Sequence, residues 1–178
     1  MRVIGGTHRG RRLVAPPGLD TRPTSDRVRE SLFAILGPLD GERVLDLFAG
    51  SGALGIEALS RGAGSVLFCD SSRAAVAAVR QNLDALGLDG EVVCDDARRV
   101  LRNAHAHGAA YDLIFLDPPY RQAERWAADL SAALPAILTT GGRVVSESDR
   151  RAALDLELPL ADERRYGDTL IRIHTHAH

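Results

Sequence analysis

The chain has 178 residues, of which 45% are hydrophobic, and a formal net charge of −2. That length suits one domain that buries roughly 70% of its unfolded surface without disulfide or metal staples. The charge balance excludes a uniformly basic nucleic-acid binder, no apolar run reaches the roughly 20 residues of a membrane span, and Met1–Gly6 lacks the apolar core of a secretion signal.

All 22 basic residues are arginine, which reflects GC-rich coding before it reflects chemistry. Their distribution says more than their sum. Residues 1–29 carry Arg2, Arg9, Arg11, Arg12, Arg22, Arg27 and Arg29 against only Asp20 and Asp26. Gly5-Gly6, Gly10 and Pro16-Pro17-Gly18 punctuate this segment, and Val3-Ile4 and Leu13-Val14 flank Thr7-His8-Arg9-Gly10-Arg11-Arg12. The pattern predicts a small hairpin with a basic tip. Guanidinium forks suit phosphate oxygens and stack on bases, so the segment reads as a phosphate-gripping arm; a solvated tail is the plainer alternative. Thr24-Ser25-Asp26 then supply N-cap chemistry for a helix whose apolar stripe is Val28, Leu32, Ile35 and Leu36, with Arg27 and Arg29 expected on the arm's side. Gly37-Pro38 ends it. Residues 1–39 thus read as a basic hairpin-and-helix extension, and residues 40–178 as the main domain.

From Arg43 onward strand and helix patterns alternate. Val44, Leu45, Leu47 and Phe48 make a nearly continuous apolar run, the mark of a strand buried on both faces. The run breaks at Gly50-Ser51-Gly52 and resumes with helical spacing over Ala53–Arg61. Further strands are predicted at Ser65–Cys69, Glu91–Cys94, Tyr111–Leu116 and Gly142–Glu147. Helices are predicted at Arg73–Leu86, with Gly87 as its stop, around Ala97–Ala104, and at Gln122–Leu134. Tyr166-Gly167-Asp168 between apolar stretches predicts a closing antiparallel hairpin. Repeated βα units with short links imply a mostly parallel sheet with helices on both faces. Cys69 and Cys94 have neither metal nor redox spacing and fall in predicted strands, so both read as buried thiols of a reducing cytosol. His174, His176 and His178 alternate at a chain end expected to fray, and no metal is expected there.

In open α/β sheets ligands bind beyond the carboxyl ends of the strands. The predicted strand ends supply Asp46 with Gly50–Gly52, then Asp70, Asp95-Asp96 and Asp117. Gly50-x-Gly52-x-x-Gly55, with Asp70 downstream to hold a ribose, fits a dinucleotide site, which keeps an NAD-type oxidoreductase open. Asp96 and Ala97 suit an adenine edge, although Asp95 and Asp96 serve equally as helix caps. Asp117-Pro118-Pro119-Tyr120 points to the cofactor. Two prolines fix the backbone and donate no hydrogen bond, so Asp117 and the Pro118 carbonyl are acceptors for an exocyclic amine, with Tyr120 to stack on its ring. Hydride transfer needs no such device.

The pair V-L-D-L-F-A-G-S-G-A-L-G and D-P-P-Y resembles class I S-adenosylmethionine-dependent amino-methyltransferases. With the leader R-V-I-G-G-x-x-R-G-R-x-L and T-R-P-T-x-D-R-V-R-E, the chain is similar to the bacterial 16S ribosomal-RNA guanine-N2 methyltransferases. The resemblance implies a Rossmann-like, doubly wound, seven-stranded sheet with an antiparallel C-terminal hairpin. It implies S-adenosylmethionine framed by Asp46, Gly50, Ser51, Gly52, Asp70, Asp96 and Ala97, with S-adenosylhomocysteine as product and no metal. Asp117, Pro118 and Tyr120 would hold a flipped-out guanine for direct displacement at N2, at nucleotide 966 in the family's target. Arg9, Arg11, Arg12, Arg22, Arg27 and Arg29 would grip RNA. The expected partner is 16S rRNA, in the small subunit or an assembly intermediate, with the enzyme a cytoplasmic monomer away from membranes. The nearest rival is a DNA adenine-N6 or cytosine-N4 methyltransferase, which uses the same D-P-P-Y logic but usually has a larger recognition segment. A non-catalytic RNA chaperone is a third reading.

Overall fold

A computed structural model describes residues 1–18 and 24–177; of Tyr120 only the backbone is described. Arg22 and His178 lie outside the described residues. Seven strands form one mixed sheet among the described residues, in the order β3-β2-β1-β4-β5-β7-β6. In chain order the main elements are α1 (Asp26–Leu36), β1 (Arg43–Asp46), α2 (Ala53–Ser60), β2 (Ser65–Asp70), α3 (Arg73–Leu86), β3 (Glu91–Cys94), α4 (Ala97–Ala106), β4 (Tyr111–Leu116), α5 (Ala123–Ala133), β5 (Leu138–Asp149), β6 (Leu160–Tyr166) and β7 (Thr169–Thr175). The first five strands run parallel, and the β6–β7 hairpin joins β5 antiparallel. This is the predicted Rossmann-like, doubly wound sheet with its closing hairpin.

The two faces of the sheet are cleanly assigned by alternation. Val44, Phe68, Phe115, Val145 and Ile171 share a hydrophobic cluster with α1, α2 and α3. Leu45, Cys69, Ile114, Leu116 and Val144 share the opposite cluster with α4 and α5. The amino-terminal segment belongs to the first cluster, where Val3 and Leu13 are buried beside Leu32 and Phe33 of α1. It closes on itself through an Arg2–Arg12 antiparallel bridge around a 3-10 turn at Gly6–His8 rather than as two strands.

Local chemistry sets the boundaries. Ser25 caps α1 by accepting from Val28 N–H, and Ser72 caps α3 in the same way. Gly87, with φ 64°, ends α3 in the left-handed conformation that glycine adopts without a Cβ penalty. Two details differ from expectation. Cys69 is buried, and burial together with Asp70, Asp95, Asp46 and Asp96 pushes its thiol up to about 12, but Cys94 is exposed. Cys94 ends β3, an edge strand, where one side of the ladder has no neighbour. The chain's end does not fray through His176: His174 is buried in β7 between β5 and β6, and His176 N–H donates to Gly142 O. Among the described residues no three metal-ligating side chains converge, and no helix is long and apolar enough to cross a membrane.

Candidate active site

The carboxyl ends of the central strands open into a cavity of about 560 Å³. Alternation within the strands explains its chemistry. Phe68, Val44, Phe115 and Val145 lie on the face covered by α1–α3, and two residues further along each chain stands an acid: Asp70, Asp46, Asp117 and Glu147. Because β2, β1, β4 and β5 are successive neighbours, the four carboxyls stand on adjacent strands of one face, Asp117 level with Glu147 and Asp46 set two residues back, level with Phe68 and Phe115. Adjacent strands lie about 4.8 Å apart, so each acid feels the next. Burial, then Glu147 and Asp46, push Asp117 well above the ordinary carboxylate range. Burial also raises Glu147, against the lowering pull of the Thr24 hydroxyl that donates to it. Asp46 is pushed up to about 7, first by burial and then by Asp70, despite accepting Gly55 N–H at 3.1 Å. A row of crowded carboxyls is costly to ionise on its own and favours a ligand that brings positive charge or hydrogen-bond donors.

The glycine turn sits at one end of this row. Gly52, at φ 82°, caps α2 in the left-handed region. A side chain at Gly55 would run into the Phe68 ring, so only glycine lets α2 lie this close to β2. Asp70 organises the turn: its carboxylate accepts Gly50 N–H at 2.9 Å and Ser72 N–H at 2.9 Å. Each carboxylate oxygen accepts more than one hydrogen bond, which leaves capacity for a ribose. Asp96 caps α4 by accepting Arg98 N–H at 2.8 Å, the capping reading, and it also lines the cavity.

Of the sequence-predicted residues, Asp46, Gly50, Ser51, Asp70, Asp96, Ala97 and Asp117 all line this one cavity. Pro118 is buried and does not line the cavity, whereas Pro119 does, and the side chain of Tyr120 lies outside the described residues. Sequence reasoning missed several walls. Phe48 and Trp126 meet edge to face at 5.0 Å, and the Arg98 guanidinium lies 3.9 Å from the Trp126 ring centroid while pairing with Asp129 at 2.7 Å. Met1, Pro16 and Thr24 bring the amino-terminal segment into the cavity wall. Glu147, which stands behind the Thr24 wall rather than lining the cavity, was missed too, although its V-x-E pattern repeats the V-x-D and F-x-D of β1 and β4.

The arginines divide into two groups. Arg9, Arg12 and Arg27 are exposed. Arg11 is exposed as well, and its guanidinium donates to Ala85 O, while His8 Nε2 contacts Leu86 O. Both anchor the tip to the carbonyl end of α3, where the helix dipole favours positive charge. Arg29 corrects expectation. It is wholly buried, 2.5 Å from Asp26 and 3.7 Å from Glu57, and is therefore removed from any surface contact with RNA. Its position on the inner side of α1, beside Val28 and Leu32, dictates this. Glu57, fully buried in α2, also accepts Ile4 N–H and Gly5 N–H and pairs with Arg61.

The family model described as "Conserved hypothetical protein 95" matches residues 1–175. YlbH of Bacillus subtilis, a provisionally assigned rRNA methyltransferase, is 42% identical over 98% of both chains. Ribosomal RNA small subunit methyltransferase D of Escherichia coli is 42% identical over 68% of this chain and 61% of its own. A solved structure from Escherichia coli, the provisionally assigned methyltransferase yhhF, superposes with a TM-score of 0.83 at 35% identity, covering 99% of this chain and 98% of that one. With fold, glycine turn and acidic rim in common reach, the chain belongs to the conserved hypothetical protein 95 family, in the company of bacterial ribosomal-RNA methyltransferases.

Proposed function

We propose that this protein is an S-adenosylmethionine-dependent methyltransferase that modifies the exocyclic N2 amine of a guanine in 16S rRNA, with nucleotide 966 as the position the family resemblance suggests. The observation that carries the reading is the acidic cavity wall beside the glycine turn, with a proline-stiffened acceptor at Asp117-Pro118. The relatives' names support methylation of ribosomal RNA.

The residues present fit the donor. Asp70 has spare acceptor capacity for ribose hydroxyls, Asp96 and Ala97 for an adenine edge, and the first turn of α2 for a carboxylate. S-adenosylmethionine supplies an electrophilic methyl group on a positively charged sulfur, and the anionic wall of Asp46 and its neighbours suits that charge. Asp117 and the Pro118 carbonyl accept the two amine hydrogens and so turn the nitrogen lone pair outward. Alignment and exclusion of water then supply most of the rate. The cavity admits one planar base only when it leaves its stack. The amino-terminal extension, residues 1–39, would bind the surrounding phosphates through Arg9, Arg11, Arg12 and Arg27, giving affinity with little sequence information.

Mass mapping of methylated nucleotides in rRNA and DNA from cells lacking the protein tests the reading. The expected result is loss of one N2-methylguanine from 16S rRNA with DNA unchanged. Loss of a methylated adenine or cytosine from DNA would instead establish the rival activity.

A further inference from the structure

Glu147 is a buried carboxyl that the methyl-transfer chemistry above leaves unused. It lies on β5, the strand next to Asp117's β4, on the side away from the glycine turn. The register pairs Leu116 with Ser146, so one residue on, Asp117 and Glu147 stand side by side on the same face of the sheet. Glu147 is 6% exposed, and its Oε2 accepts the hydroxyl of Thr24, itself a wall of the cavity. A carboxylate offers about four acceptor positions, and Thr24 takes one. No cation pairs with Glu147 among the described residues.

We infer that Glu147 reads the target base, accepting the ring N1–H of guanine while Asp117 accepts the adjacent amine, with the Thr24 hydroxyl fixing the carboxylate's orientation. The inference rests on the guanine-N2 reading above. Guanine presents N1–H and the N2 amine next to each other on one edge, two donors side by side. The protein sets two carboxyls side by side, Asp117 in the cavity wall and Glu147 against the Thr24 wall, on strands about 4.8 Å apart. A base with a lone pair at N1 would set two acceptors against each other in a buried place, a penalty that enzymes use for discrimination. The raised proton affinity of Glu147 is consistent with a carboxyl that needs a donor there.

The test replaces guanine at the target nucleotide by 2-aminopurine, which keeps the 2-amine and has a lone pair at N1. The modified segment is ligated into 16S rRNA and assembled into small subunits where naked RNA is not accepted. Wild-type kcat/KM should favour guanine by roughly 10- to 100-fold. In Glu147→Gln, whose amide can donate to the N1 lone pair, the preference should shrink to within about threefold or invert, with affinity for S-adenosylmethionine unchanged. An identical preference in wild type and variant overturns the assignment and leaves the guanine-N2 reading standing. A wild-type preference near one overturns it without any variant, so misfolding of Glu147→Gln cannot protect it. Wild-type protein that leaves the target guanine unmethylated and modifies another base brings down both readings.

Discussion

The acidic rim and the basic amino-terminal segment are both charge clusters, and they obey opposite economies. At the rim, Asp46, Asp117 and Glu147 are held out of water beside one another, so their carboxyls resist ionisation. In the segment, Arg9, Arg12 and Arg27 project into water at almost no cost. Between these extremes stands the Arg29–Glu57 pair, fully buried on both sides. Charge that is buried and matched holds the segment to α2; charge that is buried and unmatched leaves a place that a cationic or hydrogen-bond-donating ligand would suit. Exposed charge, matched by nothing, is free to meet a polyanion. The same residue type thus carries different roles according to burial, which composition alone does not reveal.

That contrast is broken most severely at Asp117. Asp117→Ala should lower methyl transfer by roughly 10³-fold, because one positioned acceptor aimed at the reacting group contributes on this scale. Cofactor affinity by calorimetry should be unchanged. Parallel losses of binding and rate would instead make Asp117 part of the donor's pocket. Glu57→Ala comes next and acts on stability. It leaves Arg29 with Asp26 alone and removes the acceptor for Ile4 and Gly5 N–H, so urea unfolding should show a loss of about 3–5 kcal/mol. The double variant Arg29→Met, Glu57→Leu should regain only the part due to Arg29, since Arg61 and the Ile4 and Gly5 N–H groups still lose their acceptor.

Burial is also why some of the molecule was legible in sequence and some was not. Residues Arg73–Leu86 and Tyr111–Leu116 are bounded in the structure as their apolar period and flanking glycine or proline predict. The strand that follows α5 was expected at Gly142–Glu147 but runs Leu138–Asp149, because its partner strands β4 and β7 extend pairing beyond the apolar stretch. Asp46 and Asp117 were identifiable because glycine or proline follows them closely and marks a strand end, and Asp70 because it closes an apolar run downstream of the glycine turn. Glu147 has only Ser148 and Asp149 after it, and no turn signal sets it apart. Arg29 looked like one of a run of surface arginines. Only its place on the buried stripe of α1, opposite an acid from α2 in sequence 28 positions away, distinguishes it, and that is a tertiary fact.

The exposed arginines give a smaller effect. Arg9, Arg12 and Arg27 replaced together by Gln should weaken RNA binding 10- to 100-fold at low salt and reduce the salt slope by about 0.7–0.9 per lost phosphate contact. Melting should hardly change, since exposed side chains without buried partners contribute within about 0.5 kcal/mol. If the slope stays constant, the segment serves the cavity wall alone.

The smallest effect concerns protons at the rim. Asp46 titrates about 7 when folded against 3.8 for an ordinary aspartate. Between those values the folded state holds a proton that the unfolded state has lost, so this group's contribution to stability declines as pH rises toward 7 and is spent above it. A cationic ligand in the same cavity favours the ionised carboxyl and must release that proton to bind. Affinity for S-adenosylmethionine should therefore rise by up to about tenfold from pH 6 to pH 8, and the rise should be shallower for S-adenosylhomocysteine, which lacks the sulfonium charge. Asp46→Asn should flatten both the stability decline and the affinity rise. Calorimetry in two buffers of different ionisation enthalpy reads the released proton directly. Equal slopes for the two ligands would mean that the rim's negative charge faces something other than the methyl-bearing sulfur.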